Sequence, residues 1–285
     1  MELQPVTPIT CKNCGNKFTG NYCNECGEKV YTEHDRNFLH FFEEGFHFVT
    51  HFEGKFFTTI KTLFTKPGQV SVDYTNGVRK KYFKLLSLFL LLVVLYLLFP
   101  MFEGLNMKLY YHAHNNLYGN FAMKKAIAVM HEKHLTEEQL ADSFHKISEK
   151  TSKFLLVLLI PFTALATWAV SFKRRRYFFD QAVFATEVNC VYLIWGFLIL
   201  PSLLLVFGWA YHSISGNHLL ITDAYTGFLI GIPLVIYVGL AAHRFYHFTQ
   251  IQSILFALFF LIVHTFIVHY LYKFILFVVV INQIH

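Results

Sequence analysis

The sequence predicts an all-α integral membrane protein with about five transmembrane helices, a small N-terminal zinc ribbon and an amphipathic helix at the membrane surface. Of 285 residues, 55% are apolar and only 15% are charged, a composition that a water-solvated fold can hardly carry. Apolar runs of about 18 residues or more recur along the chain, and paired cysteines stand near its start. The 33 Phe and 16 Tyr residues exclude a disordered or collagen-like chain.

Four of the five cysteines form two C-x-x-C pairs, Cys11 with Cys14 and Cys23 with Cys26. A glycine follows each pair and can take the positive φ that lets backbone N–H groups approach sulfur. Four thiolates at this spacing predict a structural zinc site within a ribbon over residues 1–30. Two disulfides, or rubredoxin-like iron on the same four sulfurs, are the alternatives.

Residues 31–83 are predicted as an amphipathic aromatic segment at the membrane surface followed by a basic elbow. From Phe38 to Phe64 apolar residues recur every three or four positions, as along one helix face. The opposite face is polar, which suits a helix lying flat on a membrane. On this polar face, Glu43 or Glu44 together with His47 and His51 could chelate a divalent cation. The alternative is that these side chains are neighbours by accident.

The elbow, residues 65–83, combines a Pro67-Gly68 turn, a short amphipathic piece, an Asn76-Gly77 turn and a basic cluster. Two interpretations of it stay open. It is either a surface that docks a partner or lipid, or an ordinary entry into the first span.

A helical membrane domain is predicted over residues 84–285. Its spans are expected near 85–102, 154–172, 190–211, 225–242 and 254–272, with an apolar tail from Phe274 to Ile281. Helices are preferred to a barrel because these runs are continuous rather than alternating. The loop 103–153 is expected to fold as an external helical cap, since Thr136-Glu-Glu-Gln139 is a capping box. Its histidines could form a metal or pH-sensitive site, with scattered solvated side chains as the alternative: His112, His114, His131, His134 and His145.

Basic residues cluster on one predicted side of the spans. The positive-inside rule then places the N-terminus in the cytoplasm and, with an odd number of spans, the C-terminus outside. A reducing cytoplasm agrees with thiols that are available to a metal. No cleaved secretory signal is expected at the start of the chain. Nine cations are predicted to contact anionic lipid head groups: Arg79, Lys80, Lys81, Lys84, Lys173, Arg174, Arg175, Arg176 and Arg244.

Few polar residues fall within the predicted spans, and four of them could line a polar path: Thr163, Thr167, Asn189 and His264. The sequence contains no phosphate-binding glycine loop, nucleophile elbow or repeated carboxylate motif. Catalysis is therefore not favoured. An enzyme acting on lipid or an envelope precursor would need at least two of four side chains to meet at one pocket beside the inner leaflet: Asp180, Glu187, His243 and His247.

Several phrases of the sequence carry a family resemblance. They are the paired cysteines, the aromatic segment, Leu63-Phe-Thr-Lys-Pro-Gly-Gln-Val70 with Tyr74-Thr-Asn-Gly-Val-Arg-Lys-Lys-Tyr-Phe83, and Tyr177-Phe-Phe-Asp-Gln-Ala-Val-Phe184. Together they resemble a bacterial family of zinc-ribbon, multi-pass membrane proteins known only as a domain of unknown function. The resemblance implies an inner-membrane protein with a zinc ribbon, and it implies no activity.

The function predicted from these features is that of a membrane-embedded scaffold or adaptor. Its cytoplasmic zinc ribbon and interfacial helix would recruit a protein or lipid partner, and the bilayer would supply anionic lipids. No nucleic-acid partner is expected. The alternative is a small transporter or channel with a polar path through the helical bundle.

Overall fold

The structure is a computed structural model that describes residues 8–30, 54–98, 107–217 and 223–284. The chain divides into two compact units. The first contains Met1–Leu91, Ala164–Tyr192 and Gly231–Phe260, and the second contains Leu92–Thr163, Leu193–Ile230 and Leu261–His285.

The ribbon contributes a two-stranded antiparallel sheet, and the other regular elements of the described chain are helices, joined by turns and loops. Strand β1 (Ile9–Thr10) pairs with β2 (Lys17–Phe18) so that Ile9 lies opposite Phe18. The helices are α1 (Lys55–Thr65), α2 (Gln69–Thr75), α3 (Leu85–Leu98), α4 (Leu109–Ala113), α5 (Gly119–Lys133), α6 (Glu137–Leu155), α7 (Leu159–Ser171), α8 (Phe178–Leu193), α9 (Leu200–Ser215), α10 (Asp223–Tyr246), α11 (Gln250–Phe266) and α12 (Lys273–Ile281). A 3₁₀ turn joins α6 to α7, and π-helical turns join α8 to α9 and α11 to α12.

The predicted aromatic helix is described only from Gly54 onward, and α1 begins at Lys55. Its earlier part and the proposed chelating set of Glu43, Glu44, His47 and His51 lie outside the described residues.

Three described helices are long and apolar enough to cross a membrane, Phe178–Ser215, Tyr225–Tyr246 and Gln250–Ile281. A fourth is reached if the pair Glu137–Ser152 and Leu156–Ser171, bent by 51°, is counted as one span. The predicted count of five is therefore not confirmed. The apolar helix Leu85–Tyr96 is shorter, and the end of its predicted span lies outside the described residues.

Two predicted boundaries differ from the structure. The span predicted at 190–211 belongs to a helix that begins at Phe178, and the span predicted at 254–272 continues through the apolar tail to Ile281. In the first case the polar residues Asp180, Gln181 and Glu187 lower the hydropathy of the first part of the helix, so the predicted span began too late. All three are buried and have polar partners within the fold, so they do not end the helix.

Helix α8 is the core of the first unit, because every residue from Phe179 to Tyr192 is buried. A helix buried on all sides must be enclosed by its neighbours. One such contact is the stacking of Phe184 on Phe245 of α10, with ring centroids 5.2 Å apart.

The cap of the second unit confirms the predicted helix start. The Thr136 hydroxyl accepts a hydrogen bond from the Gln139 amide at 3.3 Å, and the Gln139 side chain accepts one from the Thr136 amide at 2.9 Å. His112 is buried in the aromatic core of this cap, with its Nδ1 2.9 Å from the Tyr118 hydroxyl. Burial, with a smaller effect from Lys273, lowers the pKa of His112 to about 3, so its ring is neutral.

Candidate metal centre and the elbow beneath it

Each cysteine pair sits on a knuckle closed by the same two backbone hydrogen bonds. In the first, the Cys11 amide donates to the Asn16 carbonyl at 2.8 Å and the Gly15 amide donates to the Cys11 carbonyl at 2.9 Å. The second knuckle repeats this at Cys23 with distances of 2.7 Å for both bonds. The two glycines take φ values of +78° and +64°, as the C-x-x-C-G spacing predicted.

The four sulfurs lie within 4.8 Å of one another. Cys11 Sγ is 3.6 Å from Cys26 Sγ, and Cys14 Sγ is 3.6 Å from Cys23 Sγ. Tetrahedral coordination with metal–sulfur bonds of about 2.3 Å places sulfurs roughly 3.8 Å apart. The donor set therefore fits a single four-coordinate metal ion. A disulfide, with sulfurs about 2 Å apart, does not fit these separations.

Electrostatics within the cluster also favour a cation. The backbone amide of Cys26 lowers the pKa of Cys23 to about 6. For Cys14, the Asn16 amide favours the thiolate, but burial and the other three sulfurs outweigh it and raise the pKa to about 12. Thiolates this close repel one another, so full ionisation of the set requires a positive ion among them. Such a site could hold a metal ion and fold the ribbon around it, with no coordination position left for a substrate.

The second knuckle is docked on the elbow through Glu28. This side chain is 5% exposed, and its two carboxylate oxygens accept hydrogen bonds from the backbone amides of Arg79 at 3.3 Å and Lys80 at 3.0 Å. Lys80 Nζ donates in return to the Cys26 carbonyl at 3.3 Å. A Cβ on Gly27 would stand 2.4 Å from Lys80 Nζ, so the glycine also gives this lysine room to cross.

Arg79 extends from the contact with Glu28 to helix α8 in the core of the first unit. Its guanidinium carbon lies 4.7 Å from the centre of the Tyr74 ring and 5.0 Å from that of Phe179 on α8. Burial lowers the pKa of Arg79 to about 9, while the charges of Glu28 and Asp180 act to raise it. The guanidinium therefore keeps its charge at neutral pH inside a mostly desolvated site.

The elbow is closed on itself by Asp73. Its carboxylate accepts hydrogen bonds from the Tyr82 hydroxyl at 2.6 Å, Lys81 Nζ at 3.1 Å and the side-chain Nε2 of Gln69 at 2.8 Å. Partial burial acts to raise the pKa of Asp73, but these hydrogen bonds outweigh it and hold the pKa below its ordinary value. The Asp73 carboxylate thus connects Lys81 and Tyr82, which follow α2, to Gln69 at the start of that helix.

A second carboxylate, Glu187 of α8, holds the other end of α2. Glu187 is fully buried and accepts hydrogen bonds from the Gly68 amide at 2.8 Å, the Ser71 amide at 2.7 Å and the Tyr237 hydroxyl at 2.8 Å. The Ser71 hydroxyl is a fourth donor. Because α2 has no side-chain cap of its own, Glu187 satisfies amides at its start that would otherwise be orphaned.

Gly68 is required at this contact for two reasons. Its φ is +79°, and a Cβ there would lie 2.6 Å from the Ala241 carbonyl oxygen. The preceding Pro67 carbonyl accepts a hydrogen bond from Arg244 of α10. The Pro-Gly turn of the sequence is therefore seated between α8 and α10.

The nine cations predicted to contact lipid differ in their partners and exposure. Arg79 and Arg244 bind within the fold as described, and Arg175 donates to the Phe245 carbonyl at 3.2 Å and lies 3.6 Å from Asp180. Lys80 and Lys81 are exposed but have the partners given above. The remaining four are also exposed: Lys84, Lys173, Arg174 and Arg176.

The four residues predicted to line a polar path are all buried. Thr167 donates to the Ala164 carbonyl at 3.1 Å and Asn189 donates to the Ala185 carbonyl at 2.8 Å, so both bond their own helices. Thr163 and His264 belong to the second unit. These placements do not favour the transporter alternative.

Three of the four side chains considered for an enzyme site, Asp180, Glu187 and His243, have other partners in the described chain. Asp180 lies beside Arg175, Glu187 binds the start of α2, and His243 Nδ1 lies 2.6 Å from the Phe248 carbonyl. His247 takes a positive φ of 55° in the same turn.

Sequence reasoning missed Glu28, Glu187 and Tyr237 as partners of the elbow. Two signals were available in the sequence: Glu28 is an acidic residue just after the second knuckle, and Glu187 is an acidic residue within a strongly apolar stretch.

One family model matches part of the chain. Residues 53–97 are similar to a family described as a protein of unknown function (DUF3667). The match covers helix α1, the elbow and most of α3. Comparison with curated proteins and with solved structures gave no match.

Proposed function

We propose that this protein is a membrane-embedded scaffold whose zinc-stabilised head recruits a protein partner at the cytoplasmic face of a bacterial inner membrane. The observation that carries the proposal is the closed four-sulfur cluster of Cys11, Cys14, Cys23 and Cys26, docked on the elbow through Glu28. A tetrahedral thiolate site offers no open position for chemistry, which supports a structural role.

Zinc is the metal that fits this role best. It prefers four thiolates in tetrahedral geometry and undergoes no redox change. Among the described residues of the ribbon, the hydrophobic cluster contains three buried residues, Cys11, Phe18 and Cys23, with Cys26 and Val30 partly buried against it, too few to fold a segment of this size alone. When bound, the ion would supply the missing folding free energy.

The ribbon also leaves an outward surface on which a partner could bind. Tyr22 is 62% exposed and Ile9 is 40% exposed, whereas Glu28 faces the elbow. We expect a partner to contact Tyr22 and Ile9 because both side chains are exposed.

Anionic lipid is the second expected partner. Lys173, Arg174 and Arg176 form an exposed cluster between α7 and α8, flanked by the half-exposed rings of Trp168 and Phe172. Basic residues beside aromatic ones are typical of the membrane–water interface. We place this loop and the ribbon on the cytoplasmic side and the C-terminus outside.

Site-specific photo-crosslinking in living cells tests the recruiting role. A photoreactive residue at Tyr22 is expected to yield a defined crosslinked protein, identified by mass spectrometry, that disappears when Cys11 and Cys23 are replaced by serine. The same probe at Leu117, an exposed cap residue, is the control. Crosslinking at Tyr22 that survives the loss of zinc would contradict the proposal.

A further inference from the structure

The elbow is the docking site of the metal head, and the second knuckle makes every contact between them described above. Glu28, Gly27 and Cys26 face Arg79 and Lys80. Two of these three ribbon residues follow Cys26 directly, and the third is itself a metal ligand.

The position of Glu28 depends on the knuckle being folded. Its carbonyl accepts the Cys23 amide at 2.7 Å, and Gly27 before it holds a φ of +64°. Both features belong to the tight turn that aims Cys23 and Cys26 at one point. Without a central ion the four sulfurs are no longer cross-linked, and the small hydrophobic cluster in the described part of the ribbon does not hold this turn.

The Glu28 carboxylate is buried against amides that need an acceptor. The amides of Arg79 and Lys80 lie in a turn between α2 and α3, not in a helix that would satisfy them. If Glu28 leaves, these amides open to solvent, and the charge that Glu28 places near the buried Arg79 guanidinium is lost. Arg79 is packed on Phe179 of α8, so the contact joins the head to the core helix of the unit.

We infer that metal loading of the cysteine cluster locks the elbow through Glu28, so that the ribbon is a metal-dependent clamp on residues 79–80. The inference rests on the proposed metal-stabilised head and names what that head controls. In the loaded protein the elbow is held from two sides, by Glu28 from the ribbon and by Glu187 from α8. Removal of the metal releases only the first.

Hydrogen exchange of the full-length protein in lipid nanodiscs tests this inference. The amides of Arg79 and Lys80 are read at single-residue level with one zinc ion bound and after removal of zinc by a chelator. We expect exchange at both amides to accelerate about tenfold or more on chelation, the loss expected for hydrogen bonds to a charged acceptor. Amides within cap helix α6 should not change.

Two variants separate the clamp from the metal site itself. Glu28→Ala should retain one zinc ion and the thiolate spectrum of its cobalt-substituted form, while exchange at residues 79–80 is fast with or without metal. Glu25→Ala, an exposed acid in the same knuckle, is the matched control and should behave as wild type.

Three results would overturn the inference, and they are distinguishable from one another. Zinc that leaves the wild type without changing exchange at residues 79–80 refutes the clamp but not the metal head. Slow exchange in a Glu28→Ala protein that holds zinc refutes the role of this carboxylate. A wild-type chain that binds no metal at the cysteine cluster refutes both the clamp and the metal head.

Discussion

Replacing Glu187 should reveal how much the buried clasp on α2 contributes to stability. In Glu187→Ala the amides of Gly68 and Ser71 lose the acceptor that they contact at 2.8 and 2.7 Å. The two amides are fixed by the backbone and cannot turn toward another acceptor. A buried donor without a partner costs about 1–3 kcal/mol, so the two amides together cost about 2–6 kcal/mol.

Two milder variants give a graded series at the same site. Glu187→Gln keeps the shape but turns an NH₂ group toward donors, which should cost about 1–3 kcal/mol. Tyr237→Phe removes one hydrogen bond of 2.8 Å and should cost about 1 kcal/mol. The exposed acid Glu149 on the cap provides the control, since its replacement by alanine should stay within about 0.5 kcal/mol of wild type.

Thermal unfolding in one detergent, followed by intrinsic fluorescence, measures the series. At about 2–4 °C per kcal/mol for a chain of this size, Glu187→Ala should lower the midpoint by roughly 10 °C, with the glutamine and phenylalanine variants in between. A Glu187→Ala midpoint equal to that of Glu149→Ala would show that the clasp is not a stabilising contact.

Two further predictions concern the cap and the basic loop. His112 has a folded-state pKa of about 3, below its ordinary value of about 6.5. Between these pH values only the unfolded chain binds the proton, so the free energy of unfolding falls with falling pH by about 1.4 kcal/mol per pH unit. His112→Phe should therefore reduce the pH dependence of thermal unfolding between pH 4 and 6, and an unchanged pH dependence would contradict this prediction. Glutamine at Lys173, Arg174 and Arg176 should reduce the anionic lipid that co-purifies in native mass spectrometry, whereas glutamine at the exposed cap residues Lys124 and Lys125 should not; equal retention in both variants would argue against the loop as a lipid contact.

The ribbon was predictable because its chemistry is local. Two C-x-x-C-G phrases specify knuckle, glycine conformation and ligand set within sixteen residues, Cys11 to Cys26, and the sulfurs meet as expected. The helix start at Thr136 was predictable for the same reason, since both capping partners lie within one turn. The metal's identity stays a prediction, because sulfur spacing alone does not distinguish zinc from iron.

The helix boundaries were harder to predict because hydropathy treats each polar residue as exposed. Asp180, Gln181 and Glu187 moved the expected start of a span to residue 190, whereas the helix begins at Phe178. Gln181 shows the reason: its side-chain oxygen accepts the Tyr246 hydroxyl at 2.6 Å, a partner 65 residues away. Only tertiary structure tells that such a polar side chain is satisfied.

The contacts that hold the elbow could not be read from the sequence either. Glu28 meets Arg79 across 51 residues, and Glu187 meets Gly68 across 119. The composition of the elbow indicated a special segment and left open whether it docks or simply enters a span. The structure places a docked ribbon on one side of it and a buried carboxylate on the other.

Metal analysis of the full-length protein, purified from membranes without added metal, tests the central claim most directly. Native mass spectrometry and elemental analysis should find one zinc ion per chain, with four unoxidised cysteines in the ribbon, and Cys11→Ser with Cys23→Ser should abolish zinc binding. A wild-type protein that carries two disulfide bonds and no metal would contradict the account.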